Sequence, residues 1–198
     1  PVAPGLEQKR EDICIGMIPF FYALGLAVVG FIQVASGSTI VIIPRFTPRN
    51  VLETVEQEKA TMLVGVPAMF NALAMLDDET IKRYNLSSLR VAITAGAKSL
   101  AHLMETLEEK FGFTLCEIYG TTEALGSTLG DIHNRKLGTA GKPIQEIKIM
   151  DVDGKEVPQG EVGEFVCRSP QVMKGYYKAP DLTAQVLKDG WFYTGDLV

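Results

Sequence analysis

The chain has 198 residues, 46% of them apolar and 22% charged, with a formal net charge of −5. This is globular usage, long enough to bury a substantial core, and the interspersed charges leave no basic stripe for a nucleic-acid partner. The three cysteines, Cys14, Cys116 and Cys167, lie far apart in apolar runs without CxxC spacing, and His102 and His133 are distant from one another. A disulfide framework, a zinc site and a Ser-His-Asp constellation therefore have little to build on.

Residues 1–12 carry Pro, Gly and mixed charge, which is not a signal-peptide pattern. Residues 13–38 contain no charge and are long enough to span a bilayer. Pro19 and the glycines Gly16, Gly25 and Gly30 interrupt that run. It reads as a strand over 13–18, a break at Pro19 and a buried helix over 23–35, with no transmembrane segment. Residues 38–43, STIVII, are a continuous β-branched run, expected of a strand covered on both faces. Thr47-Pro48 supplies an N-cap and a first-turn proline for a helix whose Val51, Leu52 and Val55 form an apolar stripe. Residues 61–66 are the next strand, and 68–76 a short helix with Met69, Leu73 and Leu76 inward. Residues 89–94 form another buried strand, ending in Ala95-Gly96-Ala97-Lys98. Ser99 is expected to cap a helix bearing Leu100, Leu103, Met104 and Leu107, closed by Gly112, with His102 at its surface.

Residues 114–119 read as a buried strand that breaks at Gly120 into Thr121-Thr122-Glu123. Ligands of open parallel sheets sit past the carboxyl ends of the strands, where two hydroxyls and an acid suit a phosphate and its metal. Helix caps and turns use the same residues, so this stretch alone leaves the choice open. Beyond residue 130 helical periodicity fades. Ile147 and Ile149 alternate with charge, Asp153-Gly154 signals a hairpin, and residues 181–188 read as one short helix. The expected fold class is α/β: a doubly wound, mainly parallel sheet with helices on both faces over residues 1–130, followed by a partial antiparallel β-barrel subdomain over 131–198.

Four stretches in order are more specific than any one alone: residues 19–26 (PFFYALGL), 118–123 (IYGTTE), 163–177 (GEF leading to VMKGYY) and 189–196 (DGWFYTGD). With these the chain resembles the AMP-forming adenylating enzymes, a family of acyl- and aryl-CoA synthetases, peptide-synthetase adenylation domains and beetle luciferases. The resemblance implies a two-step ligase. A carboxylate attacks the α-phosphate of ATP to give an acyl-adenylate and pyrophosphate, and the thiol of coenzyme A then takes the acyl group and releases AMP. It implies ATP/AMP, Mg²⁺ and coenzyme A as substrates and metal, with a fatty or an aromatic acid as the acyl donor.

Residue by residue, the resemblance places Tyr119 against the adenine, Thr122 on the α-phosphate, Glu123 on Mg²⁺ and Asp196 on the ribose hydroxyls. Gly96, Ala97 and Lys98 match the loop lining the nucleotide, and Glu117, Gly120 and Thr121 join that site. Thr122 and Glu123 are the catalytic pair implied. The acyl pocket implied is Tyr22, Gly25, Gly65, Val66 and Thr94. Tyr22 stands where the family usually carries histidine, and Lys98-Ser99 where it carries a small residue and proline. The family's pyrophosphate loop and lysine-bearing C-terminal domain have no match here. The expectation is therefore a central fragment, weak or inactive in isolation, of a cytoplasmic ligase. A peptide-synthetase-type domain is the alternative, disfavoured by the lack of an acid in residues 19–26. Oligomeric state has no handle in the sequence.

Overall fold

A computed structural model describes residues 4–198. These form two compact units, one of residues up to Tyr119 with Leu129–Lys142, the other of Gly120–Thr128 with Pro143–Val198. In the first, the parallel strands β1 (Ile13–Gly16), β2 (Thr39–Ile42), β3 (Met62–Gly65), β4 (Val91–Thr94) and β5 (Thr114–Thr121) run in the order β2-β1-β3-β4-β5. The apolar runs of the sequence are continuous because both faces are covered, and the strand period of two sorts them. Ile15, Leu63, Ala92 and Leu115 pack to one side. They meet Val51, Leu52 and Val55 of α2 (Pro48–Glu58), Phe70 and Leu73 of α3 (Pro67–Ala74), and Met104, Leu107 and Phe111 of α5 (Ala101–Phe111). Cys14, Met62, Val64, Val91, Ile93 and Cys116 face the other side, against Val28 and Val29. Burial pushes the Cys14 and Cys116 thiols up to about 12, so both stay protonated at neutral pH.

Most local signals hold. Thr47 Oγ1 accepts the Asn50 N–H at 3.1 Å and caps α2. Gly112 closes α5 in the left-handed region, and His102 lies exposed on that helix. Three expectations need correction, and one element is not foreseen. The helix of 23–35 is π-wound over Gly25–Ile32 before a single α turn, α1 (Gln33–Ser36). A Cβ on Gly25 would lie 2.3 Å from the Pro19 carbonyl, so the chain turns in at a spacing only glycine permits. Strand β2 is the sheet edge and is half-exposed, because no element continues the order beyond it among the described residues. Phe70 and Leu73 carry the inward face of α3, with Met69 and Leu76 at the margin. A short helix, α4 (Asp78–Ile81), capped by Asp77 accepting the Thr80 N–H at 2.7 Å, has too few residues to show periodicity. No helix among the described residues is long and apolar enough to cross a membrane.

The chain continues through β6 (Leu125–Leu129) and β7 (Lys142–Pro143), and from Pro143 on the second unit holds an antiparallel sheet. Its strands β8 (Glu146–Met150), β9 (Glu164–Arg168), β10 (Leu187–Lys188) and β11 (Trp191–Leu197) run in the order β10-β11-β9-β8. Helix α6 (Pro180–Val186) precedes β10. Asp189 and Gly190, at φ 50° and 78°, join β10 to β11 with positive φ at both central positions, as a type I′ hairpin requires. The Asp151 carboxylate accepts the Asp153 and Lys155 N–H groups and closes the turn after β8. Trp191 has cations near its ring, Lys148 Nζ at 4.8 Å and Arg168 at 4.6 Å.

The amino-terminal edge of the parallel sheet is tied by one carboxylate. Asp12, 3% exposed and just ahead of β1, accepts from Thr61 Oγ1 (2.8 Å), Arg90 Nε (3.0 Å), Arg90 Nη2 and the Lys9 N–H (2.7 Å). Burial pushes this carboxyl up. The bonds from Arg90, Lys9 and Thr61 outweigh burial and hold it below the usual range. Because the folded-state pKa is depressed, the stabilisation is present above about pH 4 and is lost as pH falls through the folded value. Asp12→Asn is expected to cost about 3 kcal/mol at pH 7, since it leaves the largely buried Arg90 guanidinium without its counter-charge. It should also reduce the loss of stability between neutral pH and pH 3. Urea unfolding across that range measures both, and an unchanged midpoint at pH 7 would contradict the expectation.

Candidate active site

The carboxyl edge of the first unit's sheet gathers several residues singled out from the sequence. Gly65, Thr94 and Glu117 are successive partners across β3, β4 and β5. Gly65 is buried, and a Cβ there would come within 2.6 Å of the Met17 side chain. Val66 follows β3, with a methyl 3.8 Å from where a Cβ on Gly96 would stand. Gly96 adopts φ +88°, so the loop after β4 turns there by a conformation that favours glycine. The loop presents Gly96, Ala97 and Lys98 to solvent and then buries Ser99. Tyr22 is exposed, with its ring centroid 4.7 Å from that of Phe21, and Gly25 is buried three residues on. Tyr119 is half-buried at the end of this unit's share of β5.

Ser99 does not cap α5 as the sequence suggests. The cap position is Leu100, without a side-chain bond. Instead the Ser99 N–H donates to the Glu117 carboxylate, at 3.2 and 3.4 Å to its two oxygens. The buried acid across the strand end thus holds the loop that carries Gly96 to Lys98, and a proline at position 99 would have no N–H to offer it. Burial raises the Glu117 carboxyl above its usual range, against the lowering influence of the Ser99 N–H and Lys98. The hydroxyls of Thr94 and Ser99 are buried beside it without a hydrogen-bond partner.

In the second unit the strand does not stop at Gly120 but continues to Thr121. A Cβ on Gly120 would fall 2.0 Å from the Leu125 carbonyl oxygen, so glycine is what lets the chain return on itself here. Thr121 Oγ1 accepts the Ala124 N–H at 3.2 Å and closes the turn. The turn leaves Thr122 exposed and Glu123 half-buried. Two bonds tie Glu123 to a later segment: its carbonyl accepts the Met173 N–H at 2.6 Å, and its Oε1 accepts from the Tyr176 hydroxyl at 2.9 Å. Asp196 is exposed on β11 after a bulge, its N–H donated to Thr194 Oγ1 at 3.1 Å. Thr194 Oγ1 donates to the Phe165 carbonyl at 2.7 Å, and the Gly195 N–H goes to Glu164 at 2.9 Å. The roles of Ser99 and Tyr176 escape the sequence. Tyr176 stands in one of the four motif stretches, but its bond spans 53 positions and no periodicity encodes it.

The AMP-binding enzyme family matches residues 2–177. The chain belongs to that family. It is 37% identical over 198 residues to a feruloyl-CoA synthase of Amycolatopsis sp, covering 96% of this chain and 39% of the relative. It is 35% identical to a long-chain-fatty-acid–CoA ligase of Yersinia pestis, covering 97% of this chain and 35% of that one. An anthranilate CoA ligase solved in complex with anthranoyl-AMP superposes with a TM-score of 0.89 at 25% identity, over 98% of this chain and 39% of its own. The chain thus spans less than two fifths of the length of these relatives.

Glu117→Gln keeps an oxygen acceptor for the Ser99 N–H and removes the buried charge. The raised folded-state pKa means that ionisation works against folding, progressively so as pH climbs from the unfolded to the folded value. The variant is expected to melt at an equal or higher temperature at pH 7, with the difference shrinking towards pH 4, where the wild-type carboxyl is protonated. A variant that loses stability at pH 7 but not at pH 4 would refute this account of the acid.

Proposed function

We propose that the chain is the central part of an ATP-dependent carboxylic acid–CoA ligase that makes an acyl-adenylate and then an acyl-CoA thioester. The observation that carries this reading is the turn at Thr121 to Ala124, which sets an exposed hydroxyl beside a half-buried carboxylate in a chain of the AMP-binding enzyme family. A carboxylate is a poor acyl donor because its leaving oxygen is strongly basic, and esterifying that oxygen with AMP makes it a good leaving group. The protein's task is to align two anions and screen their repulsion, so positioning and electrostatics carry the catalysis.

In this reading Tyr119 lies against the adenine, Gly96, Ala97 and Lys98 line the nucleotide, and Asp196 accepts bonds from the ribose hydroxyls. Glu117 serves the nucleotide by holding the Ser99 amide and with it the loop. Thr122 donates to the α-phosphate. Glu123 suits Mg²⁺, which is commonly bound through one or two carboxylates, substrate phosphate oxygens and water. Mg²⁺ bound by Glu123 would supply charge neutralisation for the reacting anions. Tyr22, Gly25, Gly65, Val66 and Thr94 belong to the acyl side, which suits a hydrophobic acid. Relatives named for feruloyl and for long-chain fatty acyl groups support an aromatic or a fatty donor.

The test is pyrophosphate release by the full-length protein across a panel of aromatic and fatty acids, with and without coenzyme A. Acid-dependent release, followed by thioester formation when coenzyme A is present, is expected. Release with no acid in the panel would sink the ligase reading, and transfer only to a carrier protein would move it to the peptide-synthetase type. Asp196→Ala is expected to weaken ATP about tenfold or more through lost hydrogen bonds to a charged acceptor. Unchanged ATP affinity would leave Asp196 a turn residue.

A further inference from the structure

Glu123 stands on a turn, and a glutamate side chain left free samples many rotamers that binding would have to order. Here it is not free. Residues 173–176 form a strap fastened to both the backbone and the side chain of Glu123. The Met173 N–H donates to the Glu123 carbonyl at 2.6 Å, and the Tyr176 hydroxyl donates to Glu123 Oε1 at 2.9 Å. The strap is itself anchored on α6: the Tyr176 N–H donates to Thr183 Oγ1 at 2.9 Å, and Thr183 Oγ1 donates to the Ala179 carbonyl at 2.9 Å. Gly175 makes this possible, since a Cβ there would lie 2.9 Å from the Thr183 methyl. The contrast with the next residue is informative. Tyr177 is 88% exposed, whereas Tyr176 turns inward and places its hydroxyl on the acid.

A carboxylate offers about four lone-pair sites. The Tyr176 bond uses one of them on Oε1 and fixes the plane in which the others point. Acids that ligate metals are themselves commonly hydrogen-bonded, and removal of such a partner lowers metal affinity about 10- to 100-fold. We propose that Tyr176 is a positioning residue, whose hydroxyl, anchored through Thr183 of α6, holds the Glu123 carboxylate in the orientation that receives the divalent cation of the nucleotide. This rests on the reading of Glu123 as the metal carboxylate.

The experiment measures, in the full-length protein, the factor by which Mg²⁺ tightens binding of a non-hydrolysable ATP analogue, together with metal-free affinity and melting temperature. Tyr176→Phe keeps the ring and removes only the hydroxyl. It is expected to cut the Mg²⁺ factor about tenfold, with metal-free affinity within about twofold of wild type. Glu123→Gln is expected to abolish most of the factor. If Glu123→Gln keeps the factor, the metal reading of Glu123 falls and the proposal with it. If Glu123→Gln loses it while Tyr176→Phe matches wild type, or Tyr176→Phe weakens binding equally with and without Mg²⁺, the positioning role is overturned and Glu123 keeps its own. Should Tyr176→Phe not fold, Thr183→Val removes the anchor and leaves the hydroxyl. A smaller drop in the same factor is then expected, and an unchanged factor refutes the proposal.

Discussion

The first unit depends on how its parallel strands are held at their amino-terminal edge. Asp12, Thr61 and Arg90 occupy the positions just ahead of β1, β3 and β4, and the Asp12 carboxylate joins them. Backbone bonds carry the row on, from the Thr39 N–H to the Asp12 carbonyl, from the Arg90 N–H to the Thr61 carbonyl and from the Thr114 N–H to the Arg90 carbonyl. Arg90 spends its remaining donors on the Leu6 and Glu7 carbonyls. One buried acid and one guanidinium thus join the entries of β1, β3 and β4, and both carboxylate oxygens accept two bonds each, as burial demands.

With strand entries joined at that end, the opposite edge can be irregular. There the strands finish in Gly65-Val66, Thr94 to Lys98 and Glu117 to Tyr119, stretches that bring Gly65, Thr94 and Glu117 into an otherwise apolar interior. Crossover helices packed on both faces leave the carboxyl ends as the place where loops meet, which is where open α/β sheets take their ligands. Glu117 shows the same economy as Asp12 at the other edge. A buried acid accepts a backbone N–H of a loop and so sets the position of residues that are themselves exposed.

The second unit holds Glu123 and Asp196 by different means. Glu123 is reached by hydrogen bonds from the 173–176 strap, far away in sequence, whereas the residues before Asp196 are tied across the sheet, Thr194 to the Phe165 carbonyl and the Gly195 N–H to Glu164, around the β11 bulge. Neither acid lies in a helix or at a regular pairing position that would orient it. Side-chain and turn chemistry therefore do what secondary structure does in the first unit.

The sequence by itself determined the alternation of strands and helices. β-branched runs alternating with capped amphipathic helices dictate parallel strands with helices on two faces, because local period and capping chemistry depend only on neighbours in the chain. It also marked the motif residues, since glycine at 96 and 120 and the Thr-Thr-Glu turn are local features. Only the tertiary structure decided which of two polar partners a residue takes. Ser99 has the composition of a helix cap, yet its amide goes to Glu117 because β4 and β5 pair in a register that brings them together. The 38–43 run has the composition of a central strand, yet chain order leaves β2 at the edge. The same holds for Asp12 with Arg90 and for Tyr176 with Glu123, pairs separated by 78 and 53 positions. Such contacts carry no local signature, because they are set by which strand ends the fold brings side by side.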